Sequence, residues 1–136
     1  MSAAEDFFDT NVLLYLLSGD AAKADRAESL LAAGGTISVQ VLNEFASIAS
    51  RKLHMAWAEI DEVLAPIRTV CAIAPLTVET HERALRLAER YRLAFYDALI
   101  VSAALHAGCR ALHSEDMQDG LVIDRRLTVR NPFRAR

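Results

Sequence analysis

The chain has 136 residues, 53% of them apolar and 24% charged, with a formal charge of −3. That length builds one domain with its own core, and no apolar run approaches the roughly 20 residues that span a bilayer. The net negative charge argues against a general nucleic-acid-binding module.

The start, Met1-Ser2-Ala3-Ala4-Glu5-Asp6, has no basic segment and no long apolar stretch of the secretory kind. Cytoplasmic residence is therefore expected. Cys71 and Cys109 sit in apolar segments without metal-ligand spacing and read as small core residues in a reducing compartment.

In chain order, Glu5–Asp9 reads as a short strand through Phe7 and Phe8, and Asn11–Leu17 as one or two helical turns closed by Ser18-Gly19. Ala21–Ala33 is helical, with Asp20 as N-cap and Gly34 at its end. Gly35–Ser38 is a second strand. Val39–His54 carries Val41, Leu42, Phe45, Ile48 and Ala49 at helix spacing. Ala56–Ile67 is a further helix, interrupted near its end by Pro66. A third strand, Val70–Ala74, stops at Pro75.

Thr77–Tyr91 is helical, with Val78, Leu85 and Ala88 on one face and Arg83, Arg86 and Arg90 on the other. Tyr96–Ala107 is an apolar helix closed by Gly108, and Arg110–His113 a fourth strand. A turn at Ser114–Gly120 leads to short strand signals near Leu121–Ile123 and Leu127–Val129. Strands alternating with helices imply an α/β/α sandwich around a mostly parallel sheet.

In such a sheet, ligands bind beyond the carboxyl ends of the strands. Four acids map there. Asp9 ends the first strand, and Glu44 lies early in the helix after the second. Asp97 opens the helix that returns before the fourth strand, and Asp116 follows that strand. Each has a plain reading too. Asp9 and Asp97 suit helix starts, and Ser114–Gly120 is ordinary turn composition. Glu44 is harder to explain by local structure, because it shares a stripe with Val41 and Ile48 while Asn43, Ser47 and Ser50 mark the polar face.

A buried carboxylate without a cationic partner costs several kcal/mol, roughly, so a cluster of them is a place for a cation. Carboxylates at one edge suit Mg²⁺ or Mn²⁺, which lower the pKa of a bound water and stabilise charge on a phosphodiester. The histidines form no zinc site. His113 falls at a strand end, and His54, His81 and His106 read as helix-surface residues. Neither a nucleophile elbow nor a glycine-rich phosphate loop is present.

Four segments carry a resemblance: Phe8-Asp9-Thr10-Asn11-Val12-Leu13-Leu14-Tyr15, Ser38-x-x-Val41-Leu42-Asn43-Glu44-Phe45, Tyr96-Asp97-Ala98-Leu99-Ile100 and Leu112-His113-Ser114-Glu115-Asp116-Met117-Gln118-Asp119-Gly120. In order, spacing and context the chain resembles the PIN domain and, within it, the VapC-type toxins of toxin–antitoxin pairs, over nearly its whole length. The resemblance implies a five-stranded parallel sheet and usual dimerisation. It also implies Mg²⁺- or Mn²⁺-dependent endoribonuclease activity and a small inhibitory antitoxin.

Carried across, Asp9, Glu44, Asp97 and Asp116 are the site acids, with Asp9 and Asp97 the most direct ligands. Asp119 is a second candidate for the fourth position. Thr10, Asn11 and Ser114 are candidates to orient the carboxylates. An RNA substrate would need positive charge beside these acids. The candidates are Arg83, Arg86 and Arg90 with the C-terminal Arg125, Arg126, Arg130, Arg134 and Arg136. Two other classes stay open: a metal-dependent phosphohydrolase on a small ester, and a non-catalytic PIN-like interaction module.

Overall fold

In the computed structural model, which describes residues 5–134, the first strand is β1, Asp6–Phe8. Phe7 and Phe8 are both fully buried, because helices cover the sheet on both faces and successive side chains point to opposite sides. Asp9 ends the strand and caps α1, Thr10–Leu14, which tightens into a 3₁₀ turn over Tyr15–Leu17. Asp20 caps α2, Ala21–Ala32, by accepting from the Ala22 and Lys23 amides.

β2, Gly35–Ser38, lies beside β1. Gly35 is dictated by that closeness: a Cβ there would sit 2.6 Å from Phe8 Cε2 and 2.9 Å from the Asp6 carbonyl. Ser38 caps α3, Val39–Lys52, through Val41 N. α4, Trp57–Val70, leads into β3, Cys71–Ala74. α5, Val78–Tyr91, and α6, Phe95–His106, pack on each other before β4, Ala111–His113. β5, Val122–Ile123, and β6, Leu127–Arg130, complete the sheet.

The strand order is β3-β2-β1-β4-β6-β5, all parallel except β5, which pairs antiparallel with β6. Crossovers from β1 to β2 and β2 to β3 step one way. The crossover from β3 to β4 steps back past both. Right-handed connections therefore put α1–α4 on one face and α5–α6 on the other. The direction of winding changes between β1 and β4, and their carboxyl ends open the crevice that α/β sheets use for ligands. Among the described residues no helix is long and apolar enough to cross a membrane.

Several expectations need correction. The sheet has six strands where the family resemblance implied five. The extra one, β5, exists because Asp124 and Arg125 both adopt positive φ and reverse the chain. Tyr91 holds that reversal, accepting from Asp124 N at 2.8 Å and donating to Asp124 Oδ1 at 3.0 Å. α4 is not interrupted at Pro66 but runs on to Val70. Pro66 and Glu62, whose carbonyl the ring leaves without an intrahelical donor, are both exposed to solvent, so the helix tolerates the proline.

The buried stripe of α5 is Thr80, Ala84 and Leu87, whereas Val78 and Leu85 are exposed. At 100° per residue those two point opposite the packed face. His54 lies beyond α3 with φ 55, not on a helix surface. Cys71 and Cys109 are both buried. Arg136 lies outside the described residues.

Candidate active site

Asp9 is 4% exposed. Its main-chain amide donates to the His113 carbonyl at 3.0 Å, continuing the β1–β4 ladder past the strand end. One carboxylate oxygen, Oδ1, accepts from Thr10 N at 2.7 Å. The other accepts from Ser114 Oγ at 2.7 Å and from Asn11 Nδ2 at 3.4 Å. The capping reading and the site reading thus describe one residue. Burial pushes its carboxyl from 3.8 up to about 7. The Ser114 and Thr10 hydrogen bonds oppose that rise, and the charges of Asp97 and Glu44 add to it.

Glu44 is half-buried on α3 and held at both oxygens, by Gln40 Nε2 at 3.0 Å and more loosely by Thr10 Oγ1 at 3.5 Å. Burial raises its carboxyl above the usual range, and the charges of Asp97 and Asp116 add to that rise. Asp97 stands in the first turn of α6, where the helix N-terminus favours negative charge. Burial and the charge of Asp116 nevertheless raise it. Asp116, exposed, accepts from Asn11 Nδ2 at 3.2 Å.

Four acids from four segments therefore repel one another at the carboxyl ends of β1, β2 and β4. Among the described residues none of the four has a Lys, Arg or His nitrogen within 4.0 Å.

The turn after β4 separates its three acids by partner. Asp116 faces the other acids. Asp119 accepts from Asn131 N at 2.8 Å and Arg134 Nη1 at 3.2 Å, tying down the C-terminal segment. Glu115 accepts from Lys23 Nζ at 3.0 Å and from the Tyr15 hydroxyl, and the Tyr15 bond above all lowers its carboxyl below the usual range. Asn11 binds this turn twice, through Asp116 and by accepting from Glu115 N at 3.3 Å.

Gln40, Tyr15 and Lys23 escaped the sequence reading. Gln40 had one available signal, a polar residue four positions before Glu44 on the same helical face. Tyr15 and Lys23 had none, since their partner lies about 100 residues away.

The arginines divide differently from expectation. Arg83 Nη2 and Arg90 Nη1 lie 3.4 and 3.9 Å from Asp124, and Arg86 lines the same cavity. Arg125 and Arg126 line another with Gly108, Cys109 and Arg110. Both groups surround the turn that enters β6, at the amino ends of the parallel strands. They do not flank the acids.

As they stand, no three His, Cys, Asp or Glu side chains among the described residues are gathered tightly enough to hold a metal ion by themselves. A cation that keeps several waters and takes only one or two carboxylates directly still suits this donor set. An acidic cleft at the switch point of an α/β sheet is the class of protein that fold and site define.

The chain belongs to the PIN-domain family, whose model matches residues 7–119. No curated protein gave a sequence match. Among solved structures it resembles a toxin–antitoxin complex from Klebsiella pneumoniae, at TM-score 0.71 and 23% identity over 96% of this chain and 99% of that one. It also resembles VapC20 of Mycobacterium tuberculosis, a toxin that cleaves the sarcin–ricin loop (TM-score 0.65, 22% identity, 82% and 89% covered). A third likeness is to VapBC2 of Rickettsia felis bound to a promoter DNA fragment (TM-score 0.65, 18% identity, 93% and 97% covered).

Ser114→Ala removes the 2.7 Å bond that holds down the pKa of Asp9 and leaves Met117 N without its 3.3 Å acceptor. A hydrogen bond to a charged group is worth about 1.5–3 kcal/mol. The Asp9 carboxyl should therefore rise further, by about one pH unit or more. Carbon-13 NMR of the Asp9 carboxyl in the metal-free protein reads this directly, and an unchanged midpoint would remove Ser114 from the site.

Proposed function

We propose that this protein is a metal-dependent endoribonuclease acting as the toxin of a toxin–antitoxin pair, inhibited by a small cognate antitoxin. The observation that carries the reading is the set of four uncompensated acids at the carboxyl edge of a PIN-domain sheet, in which Glu44, Asp97 and Asp116 each raise the pKa of a neighbouring acid. Asp9 and Asp97 would hold Mg²⁺ or Mn²⁺, with Glu44 and Asp116 completing the acidic edge. When bound, such an ion supplies charge stabilisation at a phosphodiester and a water of lowered pKa.

The chain's own residues do the rest. Ser114, Thr10 and Asn11 orient Asp9, Gln40 orients Glu44, and Asn11 fixes the turn that presents Asp116. A carboxylate not engaged with the cation takes the proton of the attacking water, and the products are a 3′-hydroxyl and a 5′-phosphate. The substrate is RNA; transfer, ribosomal and messenger RNA are all open. The likeness to toxin–antitoxin complexes supports the antitoxin partner, and a homodimer is part of the same reading.

A cavity of about 350 Å³ beside Asp116, lined by Leu14, Tyr15, Leu17, Ile48 and Leu53, offers an inhibitory peptide apolar anchorage next to the acids.

RNA cleavage should appear with Mg²⁺ or Mn²⁺ and vanish in excess chelator, with end-group analysis of the fragments showing 5′-phosphates. Ca²⁺ should bind and support cleavage poorly. Undiminished cleavage in chelator would sink the metal mechanism. Hydrolysis of small phosphate esters with RNA left intact would favour the phosphohydrolase instead.

A further inference from the structure

With the far-edge arginines removed from the acids, the positive charge an RNA strand needs there must come from elsewhere. A cavity of about 320 Å³ is lined by Arg26, His113, Arg130, Asn131, Pro132 and Arg134. No carboxylate lines it. Arg130 is the last residue of β6 and His113 the last of β4, so the cavity opens at the carboxyl edge. The main chain connects it to the acids: Ser114 N donates to the Arg130 carbonyl at 2.9 Å and Asp9 N to the His113 carbonyl at 3.0 Å. Two strand spacings separate Arg130 from Asp9, roughly 10 Å.

Its walls are fixed in place. Arg26 Nε donates to the Pro132 carbonyl at 3.0 Å, Arg134 is anchored by Asp119 at 3.2 Å, and His113 Nε2 lies 3.1 Å from Asp6 Oδ1. Asp6 and Asp119 thus contact the walls without themselves lining the cavity. Among the described residues Arg130 makes no ion pair.

We infer that this cavity binds a phosphate of the RNA backbone and positions the strand so that a neighbouring phosphodiester enters the acidic cleft. Guanidinium forks are suited to phosphate oxygens, and a cavity lined by three of them, with Arg26 and Arg130 outside any ion pair among the described residues and no acid in the lining, selects for an anion. The inference rests on the ribonuclease reading for the identity of its ligand. The contacts position the chain and carry no base preference.

The test uses the whole protein in chelator, so that RNA binds without being cut. Affinity for a short single-stranded RNA is measured across a salt series. The double variant Arg26→Ala/Arg130→Ala should bind about tenfold or more weakly, and its salt slope should fall by about 0.7, the value for one lost phosphate contact on a single strand. Arg125→Ala/Arg126→Ala should change neither. Arg130→Ala alone, at an exposed residue, guards against misfolding and should weaken binding and lower the slope in the same direction by a smaller amount.

In the unmodified protein, NMR side-chain signals of Arg26 and Arg130 should shift with the RNA. A shift with inorganic phosphate but none with RNA would limit the cavity to a free anion and overturn the strand-positioning role. RNA cleavage in Mg²⁺ with an unchanged slope in the Arg26/Arg130 variant overturns this inference and leaves the nuclease reading standing. Binding that maps to the cavity in a protein that never cleaves RNA does the reverse.

Discussion

Asp9→Asn should melt at a higher temperature than the parent in metal-free buffer at pH 8, while RNA cleavage falls at least about a hundredfold. The carboxyl of Asp9 is pushed from 3.8 up to about 7, chiefly by burial. Between those values the folded protein keeps a proton that the unfolded chain has lost. Stability therefore falls as pH rises through this window and stays low above about 7. The whole interval corresponds to about 4 kcal/mol.

Asparagine removes the charge while keeping an oxygen for Thr10 N, and its amide can donate to Ser114 Oγ. The gap between variant and parent should narrow as pH falls toward 5, where folded Asp9 is already protonated. Differential scanning calorimetry across about pH 5 to 8.5 measures it, covering the upper part of the window and the plateau above it. A variant that melts lower at every pH would mean that Asp9 is held for capping alone.

Cation binding should be steeply pH-dependent, weakening below about 7. A protonated carboxyl cannot ligate, so each proton displaced costs about tenfold in apparent affinity per pH unit below the carboxyl's own pKa. Asp9 alone gives that slope below about 7 and a plateau above it. Glu44 and Asp97, both raised as well, steepen it at the acid end. Titration calorimetry with Mn²⁺ at pH 6, in two buffers of different ionisation enthalpy, should show release of about one proton per ion. The Mn²⁺-induced rise in melting temperature should be larger at pH 8 than at pH 6. No proton release at pH 6 would exclude Asp9 as a ligand.

The order of elements was legible in the chain because helices and strands leave their periods in the apolar positions. Asp20 and Gly34 marked the ends of α2, and the buried pair Phe7-Phe8 announced a strand covered on both faces. The four acids were legible for a related reason. Glu44 broke an apolar stripe, and Asp9 and Asp97 interrupted apolar runs, which are local anomalies in a local pattern. The structure brings these four within electrostatic reach, and their roles in catalysis stand as the proposal.

What sequence could not carry was anything set by two distant segments meeting. Asp116 and Asp119 are alike in composition and turn context. Only the return of Asn131 and Arg134 to Asp119 separates them. Arg125, Arg126 and Arg130 are near neighbours in the chain, yet the direction of β6 puts the first two at the amino edge and the third at the carboxyl edge. The exposed face of α5 was likewise misread, since three apolar residues fit a stripe that packing against α6 did not use. Strand direction and packing decide those positions, because the free energy that fixes them comes from burial against elements remote in sequence.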